Sequence, residues 1–185
     1  MDRVALVHET FRKRLAAGDL ATSETTFRAD ADRLLKLFRA QCLSRHLDRT
    51  SRAMQKAGQG YYTIGSSGHE GMAAVADALR PSDMAFLHYR DAAFQIARAD
   101  QVPGQTPAWD MLLSFAASSD DPISGGRHKV LGSKALNIPP QTSTIASHLP
   151  KAVGAAFSIG LARRRRPEHA VMPDDGHRRR RTIVR

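Results

Sequence analysis

Four consecutive residues, His88-Tyr89-Arg90-Asp91, place an imidazole, a phenol, a guanidinium and a carboxylate side by side. The apolar run 84–88 leads into them and an alanine-rich stretch follows, so they are expected where a buried strand ends and a helix begins. In open α/β sheets ligands bind outside the carboxyl ends of the strands. An arginine there suits phosphate, because it is permanently charged and can donate bidentately. On local sequence Arg90 could equally pair with Asp91 or lie along the surface. A second cluster, GSSGHEG at 65–71, offers glycine-exposed backbone N–H groups ahead of a helix, an arrangement that cradles anions. It matches neither GxGxxG nor the P-loop pattern. A capped turn, with Ser67 answered by Glu70, explains it better.

None of the eight histidines lies at HExxH or i, i+4 spacing with a third ligand in view, so spacing singles out no metal site. His69, His88, His128 and His148 are candidates for polar work in a cleft, since imidazole titrates near neutrality. Cys42 is the one cysteine. It leaves no internal disulfide framework and no cysteine-rich zinc site, and it reads as a core residue. No residue is singled out as catalytic.

The elements that must position these groups follow from periodicity. Residues 1–17 form a short amphipathic helix ended by Gly18-Asp19, and 22–26 are a polar linker. A long helix is expected over 28–57, with Leu34, Leu35, Phe38, Cys42 and Met54 near one stripe and Gly58 as its stop. Helices are expected over 69–79, 92–99 and 109–117, with a turn at Pro81-Ser82-Asp83. The glycine- and proline-bearing segment 118–140 reads as one long loop. A small-residue helix covers 151–163, with Pro150 in its first turn and Ser147 or His148 as its cap.

Composition narrows the class. A chain of 185 residues with 42% hydrophobic and 25% charged residues suits one globular domain with appendages. No apolar signal segment opens it, and its longest weakly polar run, 152–162, is too short to span a bilayer. A cytoplasmic protein without membrane partners is the expectation. Much of the net charge of +10 lies in the last 23 residues, where nine arginines face Glu168, Asp174 and Asp175. The body alone makes no case for a polyanion partner.

Taken together, GQGYYTIGSSGHEG (58–71), DMAFLHYRDAAF (83–94), SGGRHKVLGS (124–133) and TSTIASHLPKAVGAA (142–156) resemble, in order, a known family. It is the α-type half of the thiamine diphosphate-dependent decarboxylating component of 2-oxo acid dehydrogenase complexes, with branched-chain members looking nearest. The resemblance covers about residues 30–163. It implies an α/β fold, the N-terminal part of a doubly wound thiamine diphosphate-binding domain, helix-rich here. It implies thiamine diphosphate and magnesium as cofactors, with Tyr89 and Arg90 on the diphosphate and Ser143 and Ile145 against the cofactor. Arg127 and His128 lie in a segment resembling a loop that orders over it. His88 and His148 are further candidates for the cleft, although the family often has proline at Thr144 and glutamine at His148. The activity implied is oxidative decarboxylation of a 2-oxo acid with acyl transfer to a lipoyl arm. The implied partners are a β-type half and a lipoyl-bearing transacylase.

The resemblance breaks after Ala162. Family members continue into a strand and a Gly-Asp-Gly-like magnesium motif followed by an asparagine. Here RRRRPEHAVMPDDGHRRRRTIVR follows, and the one asparagine, Asn137, lies upstream. The domain expectation is therefore an N-terminal helix and linker (1–27), a partial cofactor-binding domain (28–163) and an Arg-rich tail (164–185) that is disordered or aberrant. A fragment inactive alone, with no metal ligands of its own, is the corresponding functional expectation. The alternative is a non-enzymatic module whose arginine tail binds nucleic acid or another polyanion.

Overall fold

The computed structural model describes residues 3–18, 30–61, 64–165 and 183–184. It divides into two compact units, residues 1–30 and 31–185. The first holds helix α1 (Arg3–Ala16), ended by Gly18 at φ +66°. The expected linker at 22–26 lies outside the described residues.

The second unit is a helix-rich α/β arrangement. Its order is α2 (Ala31–Lys56), α3 (Met72–Asp77), β1 (Ala85–Phe86), α4 (Ala92–Ala99), α5 (Pro107–Phe115), β2 (Leu131–Ser133), β3 (Ile138–Gln141), α6 (His148–Arg165) and β4 (Ile183–Val184). Strands β1 and β4 pair in parallel, Ala85 opposite Ile183. Strands β2 and β3 form an antiparallel hairpin with a register shift between Leu131 and Ser133. No helix among the described residues is long and apolar enough to cross a membrane.

Helix α2 ends as its sequence directs. Gly58 takes φ +71°, its N–H donates to the Gln55 carbonyl, and the Gln59 N–H donates back to the Met54 carbonyl. That crossed pair needs a left-handed residue, which glycine adopts without a Cβ clash. The buried face of α2 corrects the expected stripe. Ala40, Ser44, Leu47, Asp48 and Ser51 face inward, while Leu34, Leu35 and Phe38 are exposed and Cys42 is only half-buried. Small and hydrogen-bonding side chains win this face because the 64–66 backbone approaches it closely. A Cβ on Gly65 would stand 2.8 Å from the Asp48 carboxylate.

The core gathers α2, α3, α4 and α5 around Phe94, Leu87, Leu131, Leu136 and Ile138, each no more than 1% exposed. Fully burying one such side chain contributes about 1.5–3 kcal/mol. Three of these five residues lie in 131–138, so the end of the segment expected as loop (118–140) is instead a core-covering hairpin, while 118–130 holds neither helix nor strand. The hairpin's second strand, Ile-Pro-Pro-Gln, hides its nature because proline lacks a ladder donor and is tolerated only at sheet edges. The 164–185 tail expectation is corrected in part: Arg164 and Arg165 continue α6, and Ile183–Val184 is a strand. Asp174-Asp175-Gly176 lies outside the described residues.

Candidate functional site

The turn between β1 and α4 presents His88, Tyr89, Arg90 and Asp91, as the strand-to-helix reading expects. Asp91 is the N-cap residue of α4 and is fully buried. Its Oδ2 accepts the His88 backbone N–H at 2.9 Å, and its Oδ1 lies 2.7 Å from Nδ1 of His69. An ionised carboxylate only accepts, so the His69 proton sits on Nδ1 and leaves Nε2 with a free lone pair when the ring is neutral. Arg90 does not pair with Asp91. Its Nη1 donates to the Gly65 carbonyl at 2.7 Å, and its guanidinium lies 5.2 Å from the Tyr89 ring centre.

Three imidazoles gather at this corner. The His69 and His88 rings are stacked at 4.9 Å, and His148 meets His88 edge-on at 5.8 Å. His88 also lies against Tyr89 at 3.9 Å. Burial lowers the His88 pKa; Asp91 opposes this, while His69, His148 and Arg90 add to it. Burial lowers that of His148 as well, against Asp91 and with Lys151. Both rings are thus favoured as neutral imidazoles near neutral pH. His148 opens α6 just after Ala146, a non-glycine residue at φ +60°, a conformation that costs about 1–2 kcal/mol.

The GSSGHEG segment serves this corner without a capping box. Helix α3 starts at Met72 with no side-chain cap, so the helix expected from 69 is shorter. Glu70 instead accepts the Gly68 N–H and pairs with Arg45 at 3.2 Å. Ser66 donates its N–H to Asp48 at 2.9 Å and exchanges hydroxyl contacts with Asp48 and Ser44. Those bonds pin the strand of chain that carries His69.

Lys129, which sequence reasoning did not single out, reaches in from the 118–130 segment. It is 7% exposed and donates to the Tyr89 carbonyl at 3.0 Å. Burial pulls its pKa down to about 8, with Asp48 opposing and Arg90 reinforcing that shift. Its neighbour His128 pairs through Nε2 with the Ser143 hydroxyl at 3.2 Å. The structure therefore brings together Tyr89, Arg90, His88 and His148, and joins His128 to Ser143. Arg127 turns back to the Ser124 carbonyl, and Ile145 is 77% exposed. Lys129 was missed, and Asp91 was read as a possible partner of Arg90 where it is instead the partner of His69. The one local hint for Lys129 was its place in a charged glycine-rich stretch.

No family model matches the chain.

Proposed function

We propose that this corner is the diphosphate-binding side of a thiamine diphosphate-dependent 2-oxo acid dehydrogenase component of the α type. The single observation that carries the reading is the meeting of the four resembling segments. Residues from each touch another around 88–91: Gly65 with Arg90, His69 with Asp91, Lys129 with Tyr89, and His148 with His88. Segments so far apart in sequence resemble one family in order and also share one corner.

A diphosphate needs fixed positive charge and donors, and the residues present suit it. Arg90 keeps guanidinium N–H groups beyond the one given to Gly65, the Tyr89 ring lies beside it, and Lys129, which it repels, sits on the Tyr89 carbonyl. When bound, thiamine diphosphate supplies the electron sink that decarboxylation of a 2-oxo acid requires. Arg90 would hold the anion, Tyr89 would orient it, and the neutral imidazoles of His88 and His148 would offer proton acceptors beside it. The β-type half and the lipoyl-bearing transacylase belong to the same reading. Magnesium fits less well among the described residues. It wants oxygen ligands, and the carboxylates here, Asp48 and Asp91, are already hydrogen-bonded to Ser66 and to His69 and His88. No step is assigned to it.

Titration calorimetry with thiamine diphosphate and magnesium tests the proposal. Saturable binding should weaken by one to two orders of magnitude in Arg90→Ala, since a charge-assisted hydrogen bond contributes about 1.5–3 kcal/mol. Arg90→Lys should fall between, keeping charge without the planar fork. The arginine tail is the rival. Binding that ignores Arg90→Ala but disappears when Arg178 to Arg181 become serine, or in moderate salt, would favour the polyanion reading instead.

A further inference from the structure

Lys129 is a buried charge to which the diphosphate reading gives no role. It is 7% exposed, donates to the Tyr89 carbonyl at 3.0 Å and has its ammonium 5.7 Å from the centre of the Phe115 ring. Tyr89 is thereby held from two sides, since the Arg90 guanidinium lies 5.2 Å from its ring centre. Arg90 in turn gives Nη1 to the Gly65 carbonyl at 2.7 Å. Both cations thus direct these hydrogen bonds to neutral backbone carbonyls, and the charge on Arg90 opposes that on Lys129.

The carboxylates of this corner have other partners. Asp48 attracts Lys129, but its oxygens also accept the Ser66 N–H and hydroxyl and lie 3.2 Å from Arg45. Asp91 is turned to His69 and to the His88 N–H. A buried ammonium beside a guanidinium, with a carboxylate it must share, is costly to keep charged. An anion seated at Arg90 would offset that cost.

We propose that Lys129 is the second cation of this anion site, a titratable one, so that diphosphate and a proton bind together. The inference rests on the diphosphate reading of the corner and adds its regulation. Arg90 is the fixed charge, because a guanidinium is not deprotonated in proteins. Lys129 is the variable one. Burial brings its proton release to about pH 8, and a bound diphosphate, by supplying opposite charge, moves that release to higher pH. Reciprocity then requires the proton on Lys129 to tighten the anion by the same factor. Lys129 is a positioning residue in this account: it holds the Tyr89 backbone and adds field beside Arg90.

The charged and titratable groups around Lys129 are Asp48 and Arg45 from α2, Tyr89, Arg90 and Asp91 from the β1–α4 turn, and His128 on its own segment, while α5 presents the uncharged Phe115 ring. Burial holds His88 below its ordinary value, and a terminal phosphate completes its ionisation near about pH 6. Neither changes charge between about pH 7 and about pH 9.

Titration calorimetry of the full chain with thiamine diphosphate and magnesium across that range tests the proposal. Affinity should fall about fivefold from the lower to the upper limit. At about pH 8.5 binding should take up about half a proton per chain, read as the difference in heat between buffers of high and low ionisation enthalpy. This wild-type measurement does not depend on the folding of any variant. Lys129→Met should bind at about the alkaline wild-type level throughout and take up no proton. Lys129→Arg, whose charge is permanent, should restore affinity without the pH dependence, with circular dichroism confirming that both variants are folded. Exchange of the exposed Lys134 for methionine should keep the wild-type profile. Saturable binding that weakens in Arg90→Ala, yet is flat with pH and free of proton uptake in the wild type, would overturn the proposal and leave the diphosphate reading standing. A wild-type profile retained unchanged in Lys129→Met would overturn it equally. Absence of saturable binding at every pH would overturn the diphosphate reading and this inference with it.

Discussion

Asp91 and Arg98 lie about two turns apart at opposite ends of α4, and both are 0% exposed. Each has the sign that the helix dipole favours at its end. Their partners differ in kind. Arg98 is held by the fold's own backbone: its Nη1 donates to the carbonyls of Asp83 at 2.6 Å and Leu136 at 3.3 Å, and its guanidinium lies 4.6 Å from the Phe94 ring. Burial pulls its pKa down to about 10, against Asp83, so it stays charged at neutral pH. Asp91 is held on one side by a backbone N–H and on the other by the half-exposed imidazole of His69. Backbone carbonyls cannot be exchanged, whereas an imidazole can lose a proton, turn or take a ligand. The C-terminal end of α4 is therefore scaffold, and its N-terminal end is where the proposed site lies.

The largest expected effect breaks the scaffold end. Arg98→Ala should destabilise the chain by about 4 kcal/mol, because it opens a core cavity and strips two buried carbonyls of their donor. Arg98→Met fills the volume and should cost about half as much. Urea unfolding of the two variants measures this, and equal losses would show that charge, not volume, is what matters there.

Lys129 sharpens the comparison, since it too donates to a backbone carbonyl but can titrate. The folded chain releases its proton at about pH 8, whereas the ordinary lysine value is 10.5. Between those values the unfolded chain holds more protons, so stability should rise with pH across the window, by up to about 3 kcal/mol. The charged groups bearing on it are Asp48 and Arg90, with the Phe115 ring 5.7 Å away. Denaturant unfolding of wild type and Lys129→Met at both ends of the window isolates the slope. Parallel curves would mean that the ammonium is not desolvated.

The smallest stability effect belongs to the site end. Asp91→Asn keeps an acceptor for the His88 N–H and loses the charge facing His69, so it should cost about 1.5 kcal/mol. A loss as large as that of Arg98→Ala would erase the distinction between the two ends of α4.

Some of this was legible in the sequence. Helix 92–99 coincides with α4, and Gly58 ends α2 as its position predicted, because both depend on local pattern and local backbone freedom. The placement of Tyr89 and Arg90 on the turn between β1 and α4 was legible for the same reason. The hairpin was not, since Pro139 and Pro140 disguise an edge strand as a loop. The His69–Asp91 bond joins residues 22 apart, and the burial of His148 and Lys129 depends on packing that no local window contains. The α2 stripe misled for a related reason. Leu34, Leu35 and Phe38 are exposed, while Ala40, Ser44, Leu47 and Ser51 face the core and Met54 packs against its edge.

The central claim is that four distant segments make one anion-binding corner. Histidine-selective magnetic resonance on the isotope-labelled full chain, titrated with thiamine diphosphate and magnesium, tests it most directly. The account predicts that the signals of His69, His88 and His148 shift together and saturate at one common midpoint, while those of His8 and His46 stay still. Shifts confined to His169 and His177 in the arginine-rich tail, or no shared midpoint among the three, would contradict it.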